Sequence, residues 1–259
     1  MKKIVCFFII FSVNIFAGKL IELNTREGIT QKFELIEARN PVASLILFVG
    51  GKGALDLSAS YIGVNYGWGK LNFLVRVKDD FVKNGFNVAV VDAPSDKQVK
   101  KGMLGGFRNS VSHQEDIDKV ISYLKEKYSL PIWLIGTSRG TESAASIAIN
   151  TKVGIDGLIL SSSISEESSR GIAVTQMDLD EIKVPVLITA HKDDACKHTP
   201  ASGAQKIKEL LSNTKKVQVS IFEGGHEVQG PCRAKSHHGY LGVEEKVVES
   251  MSKYIKENI

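Results

Sequence analysis

Two hydrophobic periods alternate along this chain, and their order predicts a layered α/β architecture. Residues 19–24 and 31–37 mix apolar and polar positions over short runs, as a half-buried antiparallel strand pair does. Residues 44–49 (Ser-Leu-Ile-Leu-Phe-Val) are almost continuously apolar and suit a central strand covered on both faces. Residues 72–83 carry apolar side chains at helical spacing, and Asn84-Gly85 closes them. Another buried strand is predicted at 87–91. An amphipathic helix follows at 112–127, with Ile117, Val120, Ile121 and Leu124 on one face. The pattern then gives strands at 132–135, 157–160, 184–189 and 217–222. A small-residue helix is predicted at 141–150, and a terminal helix at 243–256 with Val247, Val248, Met251, Tyr254 and Ile255 on one face. Strands alternating with helices of this length predict a mostly parallel sheet with helices on both faces. Such sheets bind ligands at the carboxyl ends of their strands.

One of those ends carries Gly136-Thr137-Ser138-Arg139-Gly140, between a predicted strand and a predicted helix. That context turns a common pentapeptide into a nucleophile elbow, in which Ser138 stands exposed on a strained turn with its Oγ free to attack a carbonyl. The flanking glycines fit a place where neighbouring backbone passes close by.

Composition narrows the setting. Met1-Lys2-Lys3, an apolar run over 4–16 and Ala17-Gly18 read as a secretory signal peptide, residues 1–17, cleaved after Ala17. Residues 18–259 are then expected to form a single domain exported to the periplasm, with no membrane segment after cleavage. Removing Lys2 and Lys3 lowers the formal charge from +4 to +2, too small a surplus to argue for a nucleic-acid partner. Cleavage also removes Cys6 and leaves Cys196 and Cys232, an even pair that favours one disulfide in an oxidising compartment. Two separate thiols, or zinc ligands together with His198, His237 and His238, are the alternatives. No cofactor motif is visible.

Acyl transfer needs a base, an orienting acid and donors for the oxyanion besides the nucleophile. Asp194 follows the strand 184–189 at the better offset for the acid, with Asp193 the second choice. The base is His226, His237 or His238, all between the last strand and the last helix; position alone favours His226, without separating it well from His238. A Cys196–Cys232 bridge would tie the acid loop to the histidine loop. Oxyanion donors are expected from the backbone N–H of Arg139 and from Gly51 or Lys52 in the loop Val49-Gly50-Gly51-Lys52-Gly53. Asn72, Arg76, Asp92 and Arg108 would line or brace the site.

With these residues in the order Ser, Asp, His, the chain resembles the α/β-hydrolase superfamily over nearly all of its length after the leader, and looks closest to a bacterial exported branch. The matching stretches are Phe48-Val-Gly-Gly-Lys-Gly53, Asn72-Phe-Leu-Val-Arg76, Val91-Asp-Ala-Pro-Ser-Asp96, 133–140, 191–196 and His238-Gly-Tyr240. The resemblance implies an α/β-hydrolase fold and a histidine followed by Gly and an aromatic residue, which moves the choice of base to His238. Only the short segment 161–183 stands where large caps enter in this superfamily, so a small cap or none is expected. The expected activity is hydrolysis of a small-molecule ester, or a thioester or amide, through an acyl-enzyme, as in a carboxylesterase. A non-catalytic exported binding protein on the same fold and metal-dependent hydrolysis are the competing expectations.

Overall fold

The periodic segments assemble around one eight-stranded sheet. The computed structural model describes residues 17–214 and 216–259, so the leader read at 1–17 lies, apart from Ala17, outside the described residues. In chain order the elements are β1 (Lys19–Arg26), β2 (Ile29–Ile36), β3 (Ala43–Phe48), a hairpin of β4 (Leu57–Ser60) and β5 (Gly63–Tyr66), α1 (Phe73–Lys83), β6 (Phe86–Val91), α2 (Val111–Tyr128) and β7 (Ile132–Thr137). They continue as α3 (Gly140–Asn150), β8 (Gly157–Ser161), β9 (Val186–His191), α4 (Gly203–Leu210), β10 (Val217–Phe222) and α5 (Glu244–Lys256). The sheet order is β1-β2-β6-β3-β7-β8-β9-β10. The β1–β2 and β2–β6 pairs are antiparallel, and every neighbouring pair from β6 to β10 is parallel.

Alternation along the buried strands feeds two cores, because successive side chains point to opposite faces. Leu45, Leu47, Val88, Val90, Trp133 and Ile135 pack against α1 and α5 through Phe73, Phe81, Val247 and Met251. Ile46, Phe48, Ala89, Val91, Ile132 and Leu134 meet α2, α3 and α4 through Ile117, Ile121, Ala145 and Ile207. Covered on both sides, these strands need no polar face, which is why they read as continuous apolar runs.

Register then sets the working edge. Phe48 pairs with Gly136, Thr137 with Ser161, and Ser161 with Thr189, so the loops leaving β3, β7, β8 and β9 emerge side by side. The segment between β8 and β9 folds back onto the body, with Val174, Leu179 and Ile182 buried in the second core. Two elements were not expected from the sequence. The β4–β5 hairpin has four-residue strands with little alternation, and Tyr61 and Ile62 project at its tip. The second, α4, has only eight residues, about two turns, and buries Gly203, Ala204 and Ile207.

Beneath the edge, His113 in α2 lies between Phe48 and Phe107, and neither ring nitrogen has a hydrogen-bond partner. Burial first, and then the charge of Arg108, push its pKa down to about 3. The folded value lies below the unfolded one, so between about pH 6.5 and 3 the unfolded chain binds the extra proton and stability falls as pH falls. His113→Leu is expected to flatten this dependence by up to about 1.4 kcal/mol per pH unit. Urea midpoints of wild type and variant at pH 7 and pH 4.5 check it; an identical loss in both would contradict it.

Candidate active site

Ser138 follows β7 directly and adopts φ 52°, the left-handed conformation that non-glycine residues rarely take. The strain is held from several sides. Its N–H donates to the Ser161 carbonyl at 3.0 Å, and its own carbonyl accepts from the Thr141 hydroxyl at 2.6 Å. The two glycines of the elbow have a packing reason. A Cβ on Gly136 would lie 2.5 Å from the Gly140 carbonyl oxygen, and one on Gly140 would overlap the carbonyl of Phe48. Gly50, from the neighbouring loop, faces the nucleophile so closely that a Cβ there would sit 2.9 Å from Ser138 Cβ.

Asp194 lies in the turn after β9, and its side chain is 1% exposed. Three donors satisfy it. Oδ1 accepts from the Cys196 N–H at 2.9 Å, while Oδ2 accepts from Thr199 Oγ1 at 2.8 Å and lies 2.9 Å from His238 Nδ1. Thr199 Oγ1 is also 3.0 Å from His238 Nδ1. Thr199 escaped the sequence reading, since a threonine a few residues past a candidate acid has no distinctive pattern. Asp193 is exposed, and its backbone N–H donates to His191 Nδ1 at 3.1 Å.

His238 occupies a short 3-10 turn, His237–Gly239, whose entry is capped by Ser236. Ser162 Oγ donates to the His238 carbonyl at 3.0 Å. Ser138 is bonded to Ser161 and His238 to Ser162, so Ser138 and the imidazole flank the same strand end. With Nδ1 committed to Asp194, Nε2 is the nitrogen left for proton transfer. Among the described residues no hydrogen bond joins Ser138 Oγ to His238. The neighbouring Tyr240 is fully buried and lies within hydrogen-bond distance of Ser161 Oγ at 3.2 Å and Thr189 Oγ1 at 3.1 Å, pegging the histidine loop to β8 and β9. Burial raises its phenol pKa, so it stays neutral.

The other histidines are placed elsewhere. His226 is exposed, with its backbone bonded to Leu241 and its ring against Gly242. His237 stacks on His191 at 4.5 Å and lies 3.3 Å from Glu227. Cys196 and Cys232 form the disulfide, with Cα atoms 4.6 Å apart across 36 residues, and so join the acid loop to the histidine loop. That bond also bears on metal binding. Asp194, Cys196 and His238 offer atoms within 4.8 Å of one another, but the Cys196 sulfur is bonded to Cys232, which leaves two ligands.

Bracing accounts for the remaining singled-out residues. Arg76 donates to the carbonyls of Ala234 (2.8 Å) and Gly239 (2.7 Å) and pairs with Glu244, supporting the histidine loop from below. The fully buried Asp92 accepts the N–H groups of Leu57 at 2.9 Å and Ala93 at 2.7 Å, and that of Leu55. Asn72 caps α1. In the glycine loop, Gly51 takes φ 61° beneath Trp68, whose ring would clash with any Cβ there. Among the described residues, the backbone N–H groups of Gly51, Lys52 and Arg139 have no protein acceptor. The Arg139 side chain, buried, pairs with Glu142 and reaches Ser168.

No family model matches the chain, and no curated protein matches it. Solved structures do. An esterase from Pyrococcus furiosus, Pf2001, aligns with a TM-score of 0.68 at 15% identity, covering 99% of this chain and 96% of its own. A thermostable carboxyl esterase from Bacillus coagulans gives 0.64 at 15%, covering 93% and 99%. An acylaminoacyl peptidase from Pyrococcus horikoshii gives 0.65 at 11%, covering 95% of this chain and 42% of the larger peptidase. These likenesses are of fold, and together with the sheet order and two-sided helix packing they establish that this chain has the α/β-hydrolase fold.

Proposed function

We propose that this chain is an exported serine hydrolase, of a bacterial branch of the α/β-hydrolase superfamily, that cleaves small-molecule carboxylic esters through an acyl-enzyme. The observation that carries the reading is the buried Asp194–His238 pair at 2.9 Å, beside a serine held at φ 52° on an elbow. Ser138 is the nucleophile, His238 the base and Asp194 the acid that fixes the imidazole tautomer. Ser138 Oγ bonds to the carbonyl carbon as its proton passes to His238 Nε2. The carbonyl π pair moves onto oxygen, facing the loop and elbow N–H groups. Collapse breaks the bond to the leaving alkoxide, which takes the proton from His238. Water repeats the sequence on the acyl-enzyme and releases the acid. The same residues serve a thioester or amide, and esters are the easier substrates. The disulfide and the leader read at 1–17 support export. The competing reading, a binding protein on this fold, is removed by turnover that depends on Ser138.

Ser138→Ala is expected to abolish labelling by a fluorophosphonate and to lower kcat on a small activated ester by at least about a thousandfold. Undiminished hydrolysis in that variant would sink the proposal. Of the histidines, His238→Ala should lose labelling and His226→Ala should keep it; the reverse result would transfer the base to His226.

Cys232→Ser opens a crosslink spanning 36 residues and is expected to cost about 3 kcal/mol of stability. Because Cys196 N–H also holds Asp194, kcat should fall along with the unfolding midpoint, and a midpoint equal to that of wild type would count against a structural role for the bridge.

A further inference from the structure

Arg108 has no part in the chemistry above, yet its guanidinium is fully buried beneath the glycine loop. It stands in the 3-10 turn Phe107–Asn109 ahead of α2. Nη2 donates to the carbonyls of Val49 at 3.0 Å and Gly51 at 3.3 Å, and Nη1 donates to Ser143 Oγ in α3 at 2.7 Å. One side chain therefore bonds both to the loop after β3 and to the helix that begins at the elbow. A Cβ on Gly53 would lie 2.5 Å from Nη2, so the loop is wrapped onto the guanidinium. Nε is buried without a partner. A buried charge left partly unsatisfied is a poor way to gain stability, since an apolar side chain of similar volume would do as well.

Peptide geometry gives this arrangement a direction. In a trans peptide the carbonyl and the N–H of one unit point opposite ways, and no cis bond occurs among the described residues. Arg108 draws the Gly51 carbonyl inward, so the N–H of the same unit, on Lys52, is turned outward. It does the same to the Val49–Gly50 unit, and Gly50 is the residue packed against Ser138. The Gly51 N–H belongs to the Gly50–Gly51 unit, whose carbonyl Arg108 does not hold. Behind the loop the charges do not cancel. Arg108 and Arg139 face the single carboxylate of Glu142, and His113 alongside is neutral.

We propose that Arg108 is a positioning residue: by gripping Val49, Gly51 and Ser143 it aims the Lys52 N–H, in register with the Arg139 N–H, at the oxyanion of the tetrahedral intermediate. The inference rests on the serine-hydrolase reading and selects Lys52 over Gly51 as the loop donor. Positive charge behind a preorganised donor stabilises the transition state more than the neutral ground state, so the effect falls on kcat.

The test measures turnover of a small activated ester by wild type, Arg108→Lys, Arg108→Gln and Ser143→Ala, beside the affinity for a trifluoromethyl ketone, which forms a tetrahedral oxyanion on the nucleophile. Thermal midpoints are recorded for each. Removing one oxyanion donor costs a hundredfold or more, so Arg108→Gln is expected to lose about 100-fold in kcat with KM little changed. Ketone affinity should fall in parallel, and Arg108→Lys should recover part of both. Ser143→Ala keeps the guanidinium and frees only one of its bonds. It is expected to lose about tenfold in kcat, and it carries the test if the Arg108 variants do not fold. Wild-type kcat in any folded Arg108 variant or in Ser143→Ala, or a loss confined to KM with ketone affinity intact, overturns the proposal. Those results beside turnover that depends on Ser138 overturn this inference alone, whereas turnover that survives Ser138→Ala overturns the serine-hydrolase reading and this inference with it.

Discussion

The carboxylate of Asp194 is buried in the turn after β9, one strand in from the sheet edge, and a buried charge has to be given donors. Two loops meet that demand here. The turn after β9 folds back so that Cys196 N–H and the Thr199 hydroxyl reach the carboxylate, and the histidine loop crosses over to bring His238 Nδ1 to it. The disulfide then fastens the second loop to the first. Much of the site follows from this one requirement. Once Nδ1 is committed to Asp194, the ring orientation is set, and Nε2 is the nitrogen that remains for chemistry.

A second constraint acts on the backbone. Where β3 and β7 end together, the chain turns so tightly that Gly50, Gly136 and Gly140 each lack room for a Cβ. Only glycine allows this approach, and the approach is what exposes Ser138. Arginines then hold the loops from inside. Arg108 grips the loop after β3, Arg76 the histidine loop, and Arg139 the segment after β8. Between them the guanidiniums reach the carbonyls of Val49, Gly51, Ala234 and Gly239 and the Ser168 hydroxyl, groups outside the strands and α-helices. The planar fork of arginine suits this task better than a lysine ammonium would.

The sequence disclosed the sheet well, because strands covered on both faces must be apolar throughout, as residues 44–49 and 132–135 are. It disclosed the elbow for a related reason: glycines around Ser138 answer a local steric demand. The β4–β5 hairpin and α4 were hidden, since four-residue strands and an eight-residue helix are too short for a repeat to stand out from the loops around them. Position along the chain favoured His226, whereas the loop after β10 runs outward before returning and brings His238 to Asp194. His226 is left exposed on the outward limb, while His238 is carried under the strand ends on the return.

By itself the chain determined the layered class, the strained serine turn, and a resemblance whose His-Gly-Tyr signature pointed to His238. Burial periodicity and glycine sterics are local properties, and they can be read one segment at a time. Only the tertiary structure decided which carboxylate meets which imidazole, that Thr199 joins them, that the two cysteines are bonded, and that Arg108 lies beneath the glycine loop. Those facts depend on the register of β3, β7, β8 and β9 and on loops that close across 36 or more residues. Hydrogen-bond reach is a few ångströms, and no spacing along the sequence encodes a distance that short between loops so far apart.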